Sequence, residues 1–504
     1  MAAQGPDALR AALERLTSEF ASARRVADAG LGPVADLPVV FARHPGAVGP
    51  EAAELVRELA DAEPTRPLAA WAVALRGRAA GAAAESRARA WRAAAVVRTP
   101  GGAVVPLAEV DGALAAAGDR GSRLALDAAR AALAGTEYAP LVRERFARER
   151  DAVEALGIAD GYLATWERLA GVDARALAAG CAAFTRDTQG VWDDVLAEVG
   201  RRRVGAVPRD LPGGLQRGDV PALLTEPEID ALLPAGAALA AVRTQLAAMA
   251  LDPAAAGRVR YDVGARPGQR PGAWCAAVRV PGEVYVTARP RAGVGAWRAL
   301  LAAVGSALHA AHVDPDLPAE LRYAGDQAVR AGIGALLAGL VADEGWLRRA
   351  AGLDRTRAGV VRRAAGFAAL HALRRDAADC RLAVAVLGGE VPDAEAGDAG
   401  VVLLAEATGA RVAPADVVGY ARPWLGVATR VRGALVGAAL AEGLRERFDE
   451  DWWRNPRAGP WLATEVLAVG GGERAEAVAA RTAGGELATP GFADAARAAE
   501  AALV

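Results

Sequence analysis

Apolar residues recur three and four places apart along almost the whole 504-residue sequence, a spacing that limits the chain to a fold built chiefly of helices. The pattern runs from about Asp7 to Arg98, with interruptions at Gly30–Pro38, His44–Pro50 and Pro64–Pro67, and predicts several antiparallel helices on short connections. It resumes over Leu107–Gly200, including a long charged run from Leu124 to Ala155, and again from Pro290 almost to the end, with breaks at Pro315–Pro318, Gly388–Pro392 and Asn455–Pro460. Two stretches depart from it. In 95–106, two β-branched runs flank Pro100-Gly101-Gly102 and predict a hairpin. In 258–288, Arg258–Val263 and Ala276–Ala288 enclose a Gly/Pro/Arg-rich connection and predict a small sheet. A Pro- and Gly-rich stretch, Val204–Asp219, divides an N-terminal helical region (1–200) from a C-terminal one (201–504).

Arginine supplies every basic residue, because the sequence contains no lysine. That excludes a lysine-dependent phosphate loop, a pyridoxal Schiff base and any lysine nucleophile. The formal net charge is −2, and the basic clusters are short, as at Arg201-Arg202-Arg203, so no basic stripe predicts a nucleic-acid partner. Cys181, Cys275 and Cys380 are widely separated and odd in number, which suits a reducing cytosol better than a disulfide framework. Met1–Leu16 carries early acidic residues and no apolar signal core, and the run Leu232–Val242 is too short to span a bilayer. The sequence therefore reads as that of a soluble, cytoplasmic protein with no membrane contact.

The most specific pattern lies in Gly264–Trp346. A strand-like segment, Gly264–Val286, precedes a helix over 297–312 that reads Trp-Arg-Ala-Leu-Leu-Ala-Ala-Val-Gly-Ser-Ala-Leu-His-Ala-Ala-His. Val313–Arg322 follows, then a helix over 324–340, and far downstream the segment Leu444–Phe448. This arrangement resembles the helical zinc peptidases that include oligoendopeptidase F and thimet oligopeptidase. The resemblance implies a mainly α, large helical metallopeptidase-like fold with a deep cleft and a small sheet ahead of the zinc helix. In active members that helix carries His-Glu-x-x-His, two histidines one turn apart binding zinc and a glutamate activating water, and a later helix supplies a third ligand. The resemblance puts Ala302, Ala303 and Ser306 at the first three of these positions and Ala331 at the last. Alanine has no lone pair to offer, and neither Arg330 nor Gly332 could replace the third ligand. The family's oxyanion-stabilising tyrosines have no counterpart at Thr429-Arg430-Val431, although Tyr420 lies nearby. The implied protein holds no zinc cofactor and is a catalytically inactive homologue whose cleft serves a peptide or protein partner; the alternatives are an active hydrolase with a relocated metal site around His309, His312 and Glu320, or a structural or interaction protein whose cleft has collapsed. Candidate cleft residues are His309, His312, Arg266, Arg270, Tyr285 and Tyr420.

Other chemistry is to be weighed beside that reading. His309 and His312 stand three apart on one helix, with Asp314, Asp316 and Glu320 downstream, so they form either a relocated metal site or a packed histidine beside a helix-end one. Ser306 lies one turn before His309 but lacks the strained elbow of a serine nucleophile. Cys275, beside Trp274, reads as a buried thiol with no histidine neighbour. His371 and Cys380 sit nine residues apart on one helix with Arg374, Arg375 and Arg381, too far for a dyad within it. Gly264–Gly272, with Arg266 and Arg270, is either an anion-binding loop or a structural loop beside the cleft. Trp452-Trp453 reads as the packing of a helix end.

Overall fold

The helical spacing is realised throughout a computed structural model that describes residues 5–99, 101–251, 257–483 and 491–503. The elements that frame the functional region are α1 (Pro6–Asp28), α2 (Ala82–Ala94), α3 (Val294–His312), α4 (Gln327–Gly339), α5 (Arg355–Leu387) and α6 (Gly426–Phe448). The charged run over 124–155 is one helical column, Arg120–Leu133 continuing through a π turn at Ala134–Tyr138 into Ala139–Glu154. Pro140, which has no N–H to give the preceding turn, accounts for the widening there.

The hairpin forms as expected, β1 (Val96–Arg98) pairing antiparallel with β2 (Val104–Pro106). The sheet has three strands, β3 (Val259–Val263), β4 (Ala273–Arg279) and β5 (Glu283–Ala288), in the order β3-β5-β4. β5 runs parallel to β3 and antiparallel to β4. The stretch 276–288, read as one extended segment, is thus the heart of a hairpin that turns at Pro281-Gly282 inside a β-branched run. β5 is the central strand, and its Val284, Tyr285, Val286, Thr287 and Ala288 are all buried.

α3 is enclosed by β4 and β5 on one side and α4 on another, and α4 in turn packs on α6. By length and composition α3 could cross a membrane, but 67% of its most apolar stretch is buried inside the protein, which explains why it is apolar nearly all round. Two large cores result. One draws on residues from Leu9 to Leu223, the other on residues from Ile229 to Ala365, and α5 and α6 feed both along their lengths. Trp452 and Trp453 are buried in the second core, where they close the end of α6.

Candidate functional site

α3 begins where Asp230 accepts a hydrogen bond from the Val294 N–H at 3.2 Å, a carboxyl at the positive end of the helix dipole. Burial raises the pKa of Asp230 from the ordinary aspartate value. Along the first turns of α3, Gly295, Ala296, Ala299 and Leu300 form one wall of a cleft of about 860 Å³. The ends of the sheet strands (Val263, Gly272, Ala273 and Ala288) open into it, and His371 and Arg375 of α5 stand on its far side. His371 is held neutral, its pKa lowered to about 4 by burial and then by Arg375 and Arg374. The cleft stops at Ala299 and Leu300, one turn short of the residues that the sequence aligns with a zinc motif.

At that next turn α3 and α4 meet at their backbones. Ala303 is 5% exposed, and Ala302 and Ser306 are half-buried. A Cβ placed on Gly334 of α4 would lie 2.9 Å from the Ala302 carbonyl oxygen and 3.2 Å from the Ser306 hydroxyl oxygen. Ala331, one turn earlier on α4, has its methyl against Gly433 of α6, where a side chain would collide with it. The inward groups at these four positions are three methyls and one hydroxyl. They do not fit a zinc ion, which needs three or four nitrogen, sulfur or carboxylate donors.

The residues weighed for a relocated site are engaged elsewhere. His309, 3% exposed, faces the Gly470 carbonyl through Nε2 at 3.2 Å, and burial followed by Arg330 lowers its pKa to about 3. His312 is bonded through Nδ1 to the Leu308 carbonyl at 3.0 Å. Glu320, 2% exposed, accepts both arms of Arg10 at 2.7 and 2.8 Å. Among the described residues no group of three or more His, Cys, Asp or Glu side chains is placed to hold a metal ion. His309 is thus packed in the interior and His312 is the last residue of α3, each facing a backbone carbonyl.

The remaining candidates also line neither the large cleft nor its extension. Arg266 donates to the Ala29 carbonyl at 2.9 Å and to Asp262 at 2.5 Å. Arg270 lies 3.7 Å from Asp28 and over the Trp274 ring. The loop 264–272 therefore docks on the C-terminal end of α1, where helix carbonyls and a carboxylate attract cations. Tyr285 is buried, donating to Glu283 and accepting from Arg260, each at 2.8 Å, with Arg25 over its ring. Tyr420 is buried edge-on against Phe146. Cys275 is only partly buried, contrary to the sequence reading, and accepts from Arg330 Nη2 at 3.1 Å. Cys181 and Cys380, distant in sequence, are neighbours, because α5 packs on the helix Ala174–Asp187 that carries Cys181.

The sequence reading singled out His371 and Arg375 but weighed them only along their own helix. Their partners across the cleft are glycines and alanines of α3, which carry no chemical signal in a sequence. A second cavity, of about 570 Å³, continues the cleft and shares Asp111, Arg217 and Arg375 with it.

No protein-family model matches this sequence, and no curated protein matches it. Solved structures do. The crystal structure of the M32 carboxypeptidase from Deinococcus radiodurans R1 superposes with a TM-score of 0.55 at 14% identity, over 97% of this chain and 96% of that one. The BsuCP crystal structure gives 0.57 at 11% identity, over 99% and 98% of the two chains. The chain has the helical metallopeptidase fold of these structures along essentially its full length, and its chemistry has to be read from its own residues.

Proposed function

We propose that this protein is a catalytically inactive relative of the helical zinc peptidases, a pseudopeptidase that binds a peptide or a protein segment in its cleft without cutting it. The reading keeps the resemblance to oligoendopeptidase F and treats Ala302, Ala303, Ser306 and Ala331 as the remains of a zinc motif. One observation carries it: at the positions that the resemblance aligns with the zinc motif, two helices touch backbone to backbone over methyl groups, while the cleft beside them stays open. No residue there can ligate zinc, polarise a carbonyl or activate water. Several features favour an extended chain as the occupant. The cleft is elongated by its neighbour, largely apolar, and bordered by the ends of the sheet strands, a shape and lining that suit an extended peptide.

The test uses tag-free protein refilled with zinc and passed over a desalting column. Mass spectrometry is expected to find far less than one zinc per chain, and a quenched fluorogenic peptide library is expected to stay uncut. A fluorescein-labelled unstructured peptide is expected to raise its anisotropy with the wild type and to lose that response with Ala299→Trp, which fills the cleft. One zinc per chain together with peptide hydrolysis would overturn the proposal.

A further inference from the structure

The cavity that extends the cleft is lined by arginines beyond what its carboxylates can neutralise. Five of those arginines have ionic partners. Arg130 pairs with Asp416 at 2.7 Å, Arg217 with Asp111 at 2.6 Å and Arg145 with Glu149 at 2.7 Å. Arg78 lies 3.7 Å from Glu85, and Arg89 pairs with Asp28. These contacts use every carboxylate on the cavity wall, namely Glu85, Asp111 and Asp416. Four more guanidiniums line the same wall, and no ion pair among the described residues holds any of them: Arg24 from α1, Arg92 from α2, Arg375 from α5 and Arg422 from the loop before α6.

Their surroundings make the excess costly. Arg24 is pushed down to about 10 by burial and by the neighbouring Arg78, and its Nε has no hydrogen-bond partner. Arg422 is pushed down to about 10 by burial and by Arg430. Asp376 and Asp379 lie behind it, but Arg430 takes Asp376 at 2.5 Å and burial raises the pKa of both carboxyls, which weakens their compensation. Arg375 and Arg422 are nonetheless open to solvent in the concavity, so their donors are free to meet a ligand. Beside them Trp91 and Tyr138 stack with centroids 5.1 Å apart, both on the cavity wall, with Arg92 over the tyrosine ring.

We infer that this cavity binds a small molecule bearing adjacent phosphate groups, the Arg24, Arg92, Arg375 and Arg422 guanidiniums taking its oxygens and the Trp91–Tyr138 pair lying against its organic part. Guanidinium forks match phosphate oxygens two at a time, and four of them in one chamber call for several negative charges on one compact ligand. A single carboxylate, such as a peptide end, would leave most of them unmatched. The inference does not depend on whether peptidase activity has been lost.

The experiment is calorimetric titration of the full chain with tripolyphosphate, pyrophosphate, ATP and GTP, with sodium sulfate and a tetraglutamate peptide as comparison anions. At least one phosphate compound is expected to bind with a dissociation constant below about 100 μM at physiological salt. Arg24→Gln and Arg422→Gln should each weaken it about tenfold or more, since each removes a charged hydrogen-bonding partner. Arg209→Gln, on an exposed side chain outside the cavity, should leave it unchanged. ATP or GTP binding tighter than tripolyphosphate would assign the aromatic pair to a base, and equal binding would assign the site to the phosphates alone. Should a variant fail to fold, phenylglyoxal footprinting of the wild type read by mass spectrometry is decisive, with protection of Arg92, Arg375 and Arg422 by the bound phosphate expected. Binding of tetraglutamate or sulfate as tight as any phosphate compound, absence of binding, or affinity unmoved by both substitutions would overturn the inference.

Discussion

Gly305 of α3 and Gly334 of α4 hold the two helices in backbone contact: a Cβ on Gly305 would stand 2.9 Å from the Gly334 Cα. The contact is what closes the space under Ala302 and Ser306. Gly305→Ala is therefore expected to force the helices apart and to cost about 1–3 kcal/mol, as overpacking of a tight interior does. Gly295, on the same helix, gives the contrast: it is exposed, and a Cβ added there would meet nothing within 4 Å. Gly295→Ala should be neutral or stabilise by up to about 1 kcal/mol through the helix propensity of alanine. Urea denaturation of the two variants checks this, and equal midpoints would show that the helices are not in contact.

Why part of this was legible and part was not follows from the residues involved. The helix over 297–312 and the sheet before it could be read because apolar periodicity and β-branched runs are local signals, and α3 departs from its expected bounds only by an earlier start at Val294. The three-strand order was not legible, because the pairing of Val259 with Val284 is a long-range choice that no local pattern encodes. The alignment of Ala302 and Ala331 with a zinc motif rests on resemblance alone, since neither residue carries a signal of its own. The arginine cavity was invisible: Arg24, Arg92, Arg375 and Arg422 come from four separate segments, and in a sequence whose only basic residue is arginine none of them stands out.

His309 makes the protein acid-sensitive. Its pKa is lowered to about 3 in the fold, chiefly by burial, against 6.5 when unfolded. The unfolded chain thus binds a proton that the native one refuses, and the stabilisation present above pH 6.5 is lost as the pH falls toward 3, at most about 5 kcal/mol in all. His309→Gln retains a donor for the Gly470 carbonyl and does not titrate. Between pH 7.5 and pH 5 the wild type should lose about 2 kcal/mol more than this variant in urea unfolding. Parallel pH profiles for the two proteins would refute the assignment.

Asp379 works in the opposite direction. It is 2% exposed, Oδ1 has no partner, Oδ2 stands 3.9 Å from Arg430, and burial raises its pKa to about 6 from 3.8. Its contribution is greatest at low pH and is lost as the pH rises through 3.8 to 6, because the native state holds the proton that the unfolded chain releases. Asp379→Asn should stabilise the protein at pH 7.5 by up to about 3 kcal/mol and give no gain near pH 4. Arg430 keeps Asp376 at 2.5 Å, so it retains an ionic partner after the substitution. Melting temperatures of both proteins at the two pH values suffice, and a destabilised variant at pH 7.5 would mean that the Arg430 contact outweighs desolvation.

The three thiols should separate cleanly by reactivity. Cys181 and Cys380 are fully buried, and contact with Cys380 followed by burial raises the Cys181 pKa well above the ordinary thiol value. A protonated thiol in a packed core is a poor nucleophile that reagents cannot reach. Cys275 is partly exposed on β4, where reagents can reach it, with the Arg330 guanidinium 3.1 Å from its sulfur. An aromatic disulfide reagent should therefore titrate one thiol rapidly in the native protein and three in denaturant, and Cys275→Ser should abolish the native reaction. Rapid native reaction of a second thiol would show that α5 opens from the helix Ala174–Asp187 far more readily than its buried packing implies, because Cys181 and Cys380 become reachable only when those two helices part.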